Sequence, residues 1–258
     1  GGGISIIAND PVTSGGGGGG DSPPITTALE LYVDPDADVY SDAGTTLAVD
    51  GDNIRQVNDQ SGNSVVLSQS AASNQFTYKV DSLGTGNSSI YKDSQQEWLD
   101  FSTISPSATD SFTLYSVHQK TISPSRLNVL GNNLSSRNRI LEWNNGTLYL
   151  QDTDGTQLSQ SLAQSTNLEC RAYVFDRDTD EFRLYINNTL YSTGDFSALS
   201  MDGFDFMRLY NNNPGGSTAT GYFGRLLFYI GSGSDGIHSN TDLTTMYNWF
   251  KSKYTSLP

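Results

Sequence analysis

Glu181-Phe-Arg-Leu-Tyr-Ile-Asn187, continued by Asn188-Thr-Leu-Tyr-Ser192, is the stretch on which the fold turns. Phe182, Leu184 and Ile186 alternate with Arg183 and Tyr185, which is the two-residue period of a half-buried strand and not the 3.6-residue period of a helix. Asn187-Asn188 then supplies two residues that tolerate the left-handed backbone, so the chain folds back as a hairpin into Leu190–Ser192. Upstream, Asn145-Gly146 separates Arg139–Trp143 from Leu148–Gln151 in the same way, because Asn-Gly suits a tight turn with positive φ. Downstream, nearly every residue of Tyr222–Ile230 is apolar, which predicts a strand covered on both faces.

Working outward, the same punctuation recurs. Further strands are expected at Leu29–Val33, Ile54–Asn58, Phe76–Val80, Ser89–Lys92, Trp98–Phe101, Phe112–His118, Leu127–Leu130, Cys170–Phe175 and Phe204–Tyr210. One helix stands out near the C-terminus. Asn240 or Thr241 can cap it, Asp242 suits its positive end, and Lys251 and Lys253 suit its negative end. Leu243, Met246, Tyr247, Phe250 and Tyr254 share one face at helical spacing. The expected fold is all-β: a two-sheet antiparallel jelly-roll sandwich over residues 25–258 with one C-terminal amphipathic helix.

Residues 1–24 read differently. Ile4, Ile6 and Ile7 form a short apolar plug ahead of six glycines, Gly15 to Gly20, and Pro23-Pro24 stiffens the exit. A glycine run has maximal backbone freedom, so this segment is expected to be an assembly arm held by a neighbouring subunit, with a plain linker as the alternative.

Composition excludes several classes. The 258 residues carry 14 Lys+Arg against 28 Asp+Glu, a formal net charge of −14, so the basic footprint that nucleic acid demands is missing. No apolar run approaches the ~20 residues of a membrane span, so no membrane insertion is expected. The single Cys170 cannot form an intrachain disulfide or a multi-cysteine zinc site. His118 and His238 are too few for a histidine metal cage and read as structural or surface residues.

A family resemblance follows from ordered short motifs. Asn58-Asp-Gln-Ser-Gly-Asn63 after Ile54-Arg-Gln-Val57 resembles a conserved turn of concanavalin A-like lectin/glucanase (LamG-like jelly-roll) domains, and Leu29-Glu-Leu-Tyr-Val-Asp34 resembles their opening strand. Ile90-Tyr-Lys-Asp93, Trp98-Leu-Asp-Phe101, Ser111–Val117, Arg183–Asn187, Phe223–Tyr229 and the closing Lys253-Tyr254 resemble later blocks in the same order. Val57 replaces the family's usual Trp, and Leu227 its usual Glu. The resemblance implies a lectin-like sandwich of the kind found in phage virion and bacterial surface proteins. It does not by itself imply an activity, since the fold hosts lectins, hydrolases and structural modules.

Candidate chemistry is sparse. The family's glucanases carry alternate acids on one strand, and no such strand exists here; Glu97 and Asp100 are expected on opposite faces, so no catalysis is expected. Asp34, Asp36, Asp38 and Asp42 are spaced like the first half of a calcium loop, though without its Gly and closing Glu; the alternative is a solvated turn, as for Asp176, Asp178 and Asp180. No other cofactor is expected. A sugar site needs aromatic platforms beside planar polar side chains, and the loops offer Arg137, Arg139, Trp143, Asn144, Asn145, Tyr210, Asn211 and Asn212. The sequence thus reads as a non-catalytic virion decoration protein or adhesin, part of an oligomer, anchored to neighbouring virion or surface-assembly subunits through residues 1–24 and facing host glycans. The glycine arm, with no signal peptide or sorting tail in the chain as given, favours the virion surface over an extracellular or bacterial cell-surface location. The alternative is a polysaccharide-binding module or glycoside-active enzyme of a secreted bacterial protein.

Overall fold

The Asn187-Asn188 hairpin forms as expected, with both residues at positive φ, 49° and 61°. It joins the edge strand of an antiparallel sheet to its inner neighbour in a computed structural model that describes residues 21–84, 86–94, 96–132, 139–143, 146–152, 154–200, 205–210 and 218–258, without the side chains of Leu141 and Trp143. The strands are β1 Leu29–Val33, β2 Val39–Tyr40, β3 Gln56–Asn58, β4 Val66–Ser68, β5 Thr77–Lys79, β6 Ser89–Lys92, β7 Leu99–Ile104, β8 Asp110–Lys120 and β9 Leu127–Gly131. They continue as β10 Arg139–Trp143, β11 Thr147–Gln151, β12 Gln157–Ser161, β13 Glu169–Asp176, β14 Glu181–Ile186, β15 Thr189–Asp195, β16 Phe206–Leu209 and β17 Gly221–Ser232, followed by the helix α1 Asn240–Lys253.

These make two antiparallel sheets. One runs β15-β14-β13-β8-β17-β6-β5, with β1 also paired to β17; the other runs β12-β11-β10-β9-β16-β7-β4-β3-β2. Between them lies the main core, in which Phe112 packs on Phe175 with ring centroids 4.1 Å apart and meets Phe206 and Phe228 edge-on. Each such ring, fully buried, contributes roughly 1.5–3 kcal/mol through area removed from water. Leu226 to Tyr229 are all buried because β17 has the core on one face and α1 on the other.

The helix packs Leu243, Met246, Tyr247 and Phe250 on Tyr115, Val174, Leu227 and Tyr229 of the first sheet. Its cap is Ser239, one residue before the expected Asn240 or Thr241. Ser239 and Asp242 form a reciprocal capping box, which satisfies two otherwise orphaned amides at once. The Asn58–Asn63 turn has a mechanical role. Asp59 Oδ1 accepts from the amides of Tyr32 and Ser61 at 2.7 and 2.9 Å, and Asn63 Nδ2 donates to the Leu29 carbonyl, so the turn fastens β1. Asp21 to Ile25 are also fastened. Tyr32 Oη donates to the Asp21 carbonyl, Tyr229 Oη donates to the Ile25 carbonyl, and the Asp21 carboxylate pairs with Lys253.

Candidate functional site

The second sheet ends in three strands joined by tight turns, β10, β11 and β12. Register pairs Arg139 with Gln151 and Gln151 with Gln157, Tyr149 with Ser159, and Thr147 with both Trp143 and Ser161. Ile140, Glu142, Leu148 and Leu150 are buried between the sheets. Alternation therefore puts Arg139, Thr147, Tyr149, Gln151, Gln157, Ser159 and Ser161 on the outer face. Gln157, Ser159 and Ser161 are exposed, and Arg139, Tyr149 and Gln151 are half-buried. Arg139 Nε donates to Gln151 Oε1 at 3.0 Å, and the Gln151 amide nitrogen is directed at the Gly155 carbonyl in the β11–β12 turn. The outer face thus presents a guanidinium, two amides, hydroxyls and a phenol on a rigid three-stranded surface. Such planar and hydroxyl groups suit polyhydroxylated ligands.

Behind this face the sheet is anchored by buried charge. Glu142 of β10 accepts from Arg171 Nη1 at 2.5 Å, from Tyr173 Oη at 2.6 Å and from Lys120 Nζ at 3.3 Å, which links it to β13 and β8 of the other sheet. Arg171 also pairs with Glu169 at 2.7 Å. Burial alone would raise the Glu142 carboxyl, but Arg171 and Lys120 hold it well below the usual carboxylate range. Two cations face two anions out of reach of solvent, so this cluster ties the sheets together and offers nothing to a substrate.

The same outer face carries a second feature toward its middle. Arg208 of β16 grips Asp100 of β7 through both Nε–Oδ1 (2.6 Å) and Nη2–Oδ2 (3.0 Å), and its guanidinium stacks 4.4 Å from the Trp98 ring. Trp98 Nε1 donates to the same carboxylate at 3.0 Å. Glu97 is not on the strand. Its Oε2 accepts from the amides of Asp93 and Ser94, and burial pushes its pKa up to about 7. Glu97 and Asp100 are therefore committed to different partners, a turn and an arginine.

Of the residues the sequence singled out for sugar binding, the structure places Arg139 on this face and puts the backbone of Trp143 in the row of Thr147 and Ser161. Arg137, Asn144, Asn145, Asn211 and Asn212 lie outside the described residues, as do Ile4, Ile6 and Ile7. Tyr210 requires correction: it is fully buried, its ring 4.1 Å from Phe223 and edge-on to Phe76. Tyr210 lies just past the end of β16 with a left-handed backbone, φ 60°, which breaks the alternation, so that Leu209 and Tyr210 are both buried in the core.

The aspartates between Asp34 and Asp42 each have partners within the protein. Asp34 and Asp36 take Arg225 at 3.1 and 3.2 Å, Asp38 accepts from Gln60 and Tyr40, and Asp42 accepts from the amides of Thr45 and Thr46. Asp34 and Asp36 share Arg225 while Asp38 and Asp42 have partners of their own, and among the described residues no group of three or more His, Cys, Asp or Glu is gathered in one place. Asp176 caps its own turn through the Asp178 amide, while Asp180 pairs with Arg177.

Sequence reasoning missed β12 altogether. Gln157–Ser161 has almost no apolar alternation because its outer side is exposed, yet Asp154-Gly155 directly after Leu148–Gln151 is a turn signal of the same class as Asn145-Gly146.

No family model and no curated protein matches the sequence. Solved structures do. The binding domain of Paraclostridial Mosquitocidal Protein 1 is similar over 86% of this chain and 52% of its own, at TM-score 0.60 and 12% identity. The botulinum neurotoxin serotype D binding domain is similar over 88% and 52%, at TM-score 0.58 and 13% identity. The chain spans about half the length of these structures. A carbohydrate-binding module of a Ruminococcus gnavus sialidase, solved with alpha2,6 sialyllactose, covers 54% of this chain and 84% of its own at 17% identity; its TM-score of 0.41 carries no structural argument. At these identities the likeness establishes the β-sandwich alone.

Proposed function

We propose that the protein is a non-catalytic carbohydrate-recognition sandwich whose sugar-binding surface is the outer face of β10, β11 and β12. The observation that carries this reading is the register of those strands, which sets Tyr149 between Ser159 and the row of Arg139, Gln151 and Gln157 on a face that is half-buried to exposed. Weak multivalent adhesion needs such a surface, rigid and rich in donors and acceptors, more than it needs a deep pocket. Residues 1–24 serve as the tether, with Ile4, Ile6 and Ile7 engaging a neighbouring subunit of a virion or cell-surface assembly, so that several copies present their faces together. The common fold with two toxin binding domains is compatible with a recognition role.

The test is a glycan array probed with the full chain and with Tyr149→Ala. Binding to at least one glycan class should weaken about tenfold or more on loss of the stacking ring, while reducing-sugar release from polysaccharides stays at background. Turnover abolished by replacing Glu97 or Asp100 would make the protein an enzyme instead.

A further inference from the structure

We infer that the outer face of β10–β12 is selective for sugars bearing a carboxylate, with Arg139 as the group that receives it. This rests on the carbohydrate reading above and narrows it to an acidic ligand class. Arg171, Arg177, Arg183, Arg208 and Arg225 each have a carboxylate within 4 Å, namely Glu142 and Glu169, Asp180, Glu181, Asp100, and Asp34 with Asp36. In a chain with twice as many acids as bases, that is the expected outcome.

Arg139 is the exception on this face. Among the described residues no ion pair joins it to a carboxylate, and its Nε donates to the neutral amide of Gln151. Its outer-face neighbours in the ladder, Gln151, Gln157, Tyr149, Ser159, Thr147 and Ser161, include no acid. Burial, and then the positive charge of Arg126 nearby, push its pKa down to about 10. A half-buried cation with a second cation close by is a site prepared for an anion. Gln151 takes Nε, and a carboxylate would meet the terminal amino groups, which are the two donors of the guanidinium fork.

Arg208, on the same face, demonstrates the geometry that results when a carboxylate is supplied: a two-pronged clasp at 2.6 and 3.0 Å. A uronic or nonulosonic acid would provide the carboxylate together with hydroxyls for Gln157 and Ser159 and an apolar ring face for Tyr149. A bare anion would use only the first of these. The net charge of −14 repels acidic polymers at long range, so recognition must come from this local fork and not from steering.

The experiment measures binding of the full chain to matched glycan pairs: lactose against sialyllactose, and xylobiose against xylobiose carrying glucuronic acid. In at least one pair the acidic member should bind about tenfold or more tightly, the size expected of a charge-assisted double hydrogen bond. Arg139→Gln should erase that preference, so that the acidic and neutral members of the pair bind alike, and Arg139→Lys should recover only part of it, since a point charge lacks the fork. Circular dichroism and the urea midpoint establish that both variants remain folded. Equal binding of acidic and neutral members, or a preference that survives Arg139→Gln, overturns the carboxylate inference and leaves the carbohydrate reading standing. Absence of binding to every member by the folded wild-type chain, on these pairs and on the array, overturns both.

Discussion

His238 illustrates how a single residue acquires its role from burial. Its Nδ1 lies 2.7 Å from Tyr115 Oη, its amide donates to Thr113 Oγ1, and its ring sits 4.3 Å from that of Tyr229. Burial pushes its pKa down to about 4, against the pull of Asp242, and burial likewise pushes His118 down to about 3. The folded protein therefore refuses protons that the unfolded chain accepts below pH 6.5. Stability from these two groups is complete above pH 6.5 and is lost as the pH falls toward 4 and 3. Glu142, held low by its cations, acts with the same sign at more acid pH. For His238 alone the loss amounts to about 3 kcal/mol once the pH is below 4. A urea-midpoint series from pH 7 to pH 4 should fall steadily, and His238→Asn, which keeps an acceptor for Tyr115, should make the fall about half as steep, with His118 supplying the rest. A flat wild-type profile would contradict the buried neutral imidazole. The sequence marked both histidines as structural or surface residues, and burial resolves the choice. It could not assign a face to Tyr210, because the left-handed backbone just past β16 that turns it inward, φ 60°, breaks the alternation that local spacing predicts.

At the scale of elements, the turn from Asp34 to Asp42 shows the same limit. Its acid spacing alone fits either a cation loop or a set of local caps, and the choice depends on Arg225 of β17, 189 residues beyond Asp36. Arg225 lies between Asp34 and Asp36 and its backbone amide donates to Tyr254 Oη, so this turn, β17 and the end of α1 are joined. Addition of millimolar Ca²⁺ should leave the thermal midpoint unchanged. Arg225→Met should destabilise the fold by about 3–5 kcal/mol, since it strands two buried or half-buried carboxylates. A midpoint raised by Ca²⁺ in the wild type would reinstate the calcium loop. The strands with alternating apolar residues were legible to within three residues at their ends; the short β2 and β4, and β12, which faces solvent with Gln and Ser, were not. The helix was legible in full except for its cap, since Ser239, Asn240 and Thr241 are all competent and only the Asp242 reciprocal bond selects among them.

For the whole molecule, the tethered residues divide at Asp21. Asp21 to Pro24 were grouped with the arm by composition, yet Pro23 is buried and Asp21 is bonded to both Tyr32 and Lys253. Deletion of residues 1–20 should leave the thermal midpoint within about a degree of the full chain. Deletion through Ile25 should lower it by several degrees, as a loss of ~1 kcal/mol shifts a domain of this size by 2–4 °C. Equal midpoints for the two truncations would show that the 21–25 contacts contribute nothing. Periodicity and turn chemistry alone specified antiparallel strands, two hairpins, a late helix and a sandwich, because those features are encoded by neighbours a few residues apart. Tertiary structure alone decided which polar residues share the outer face, which arginines meet carboxylates and which partners the aspartates find. Each of those outcomes depends on groups brought together from distant parts of the chain, and local spacing carries no record of such encounters.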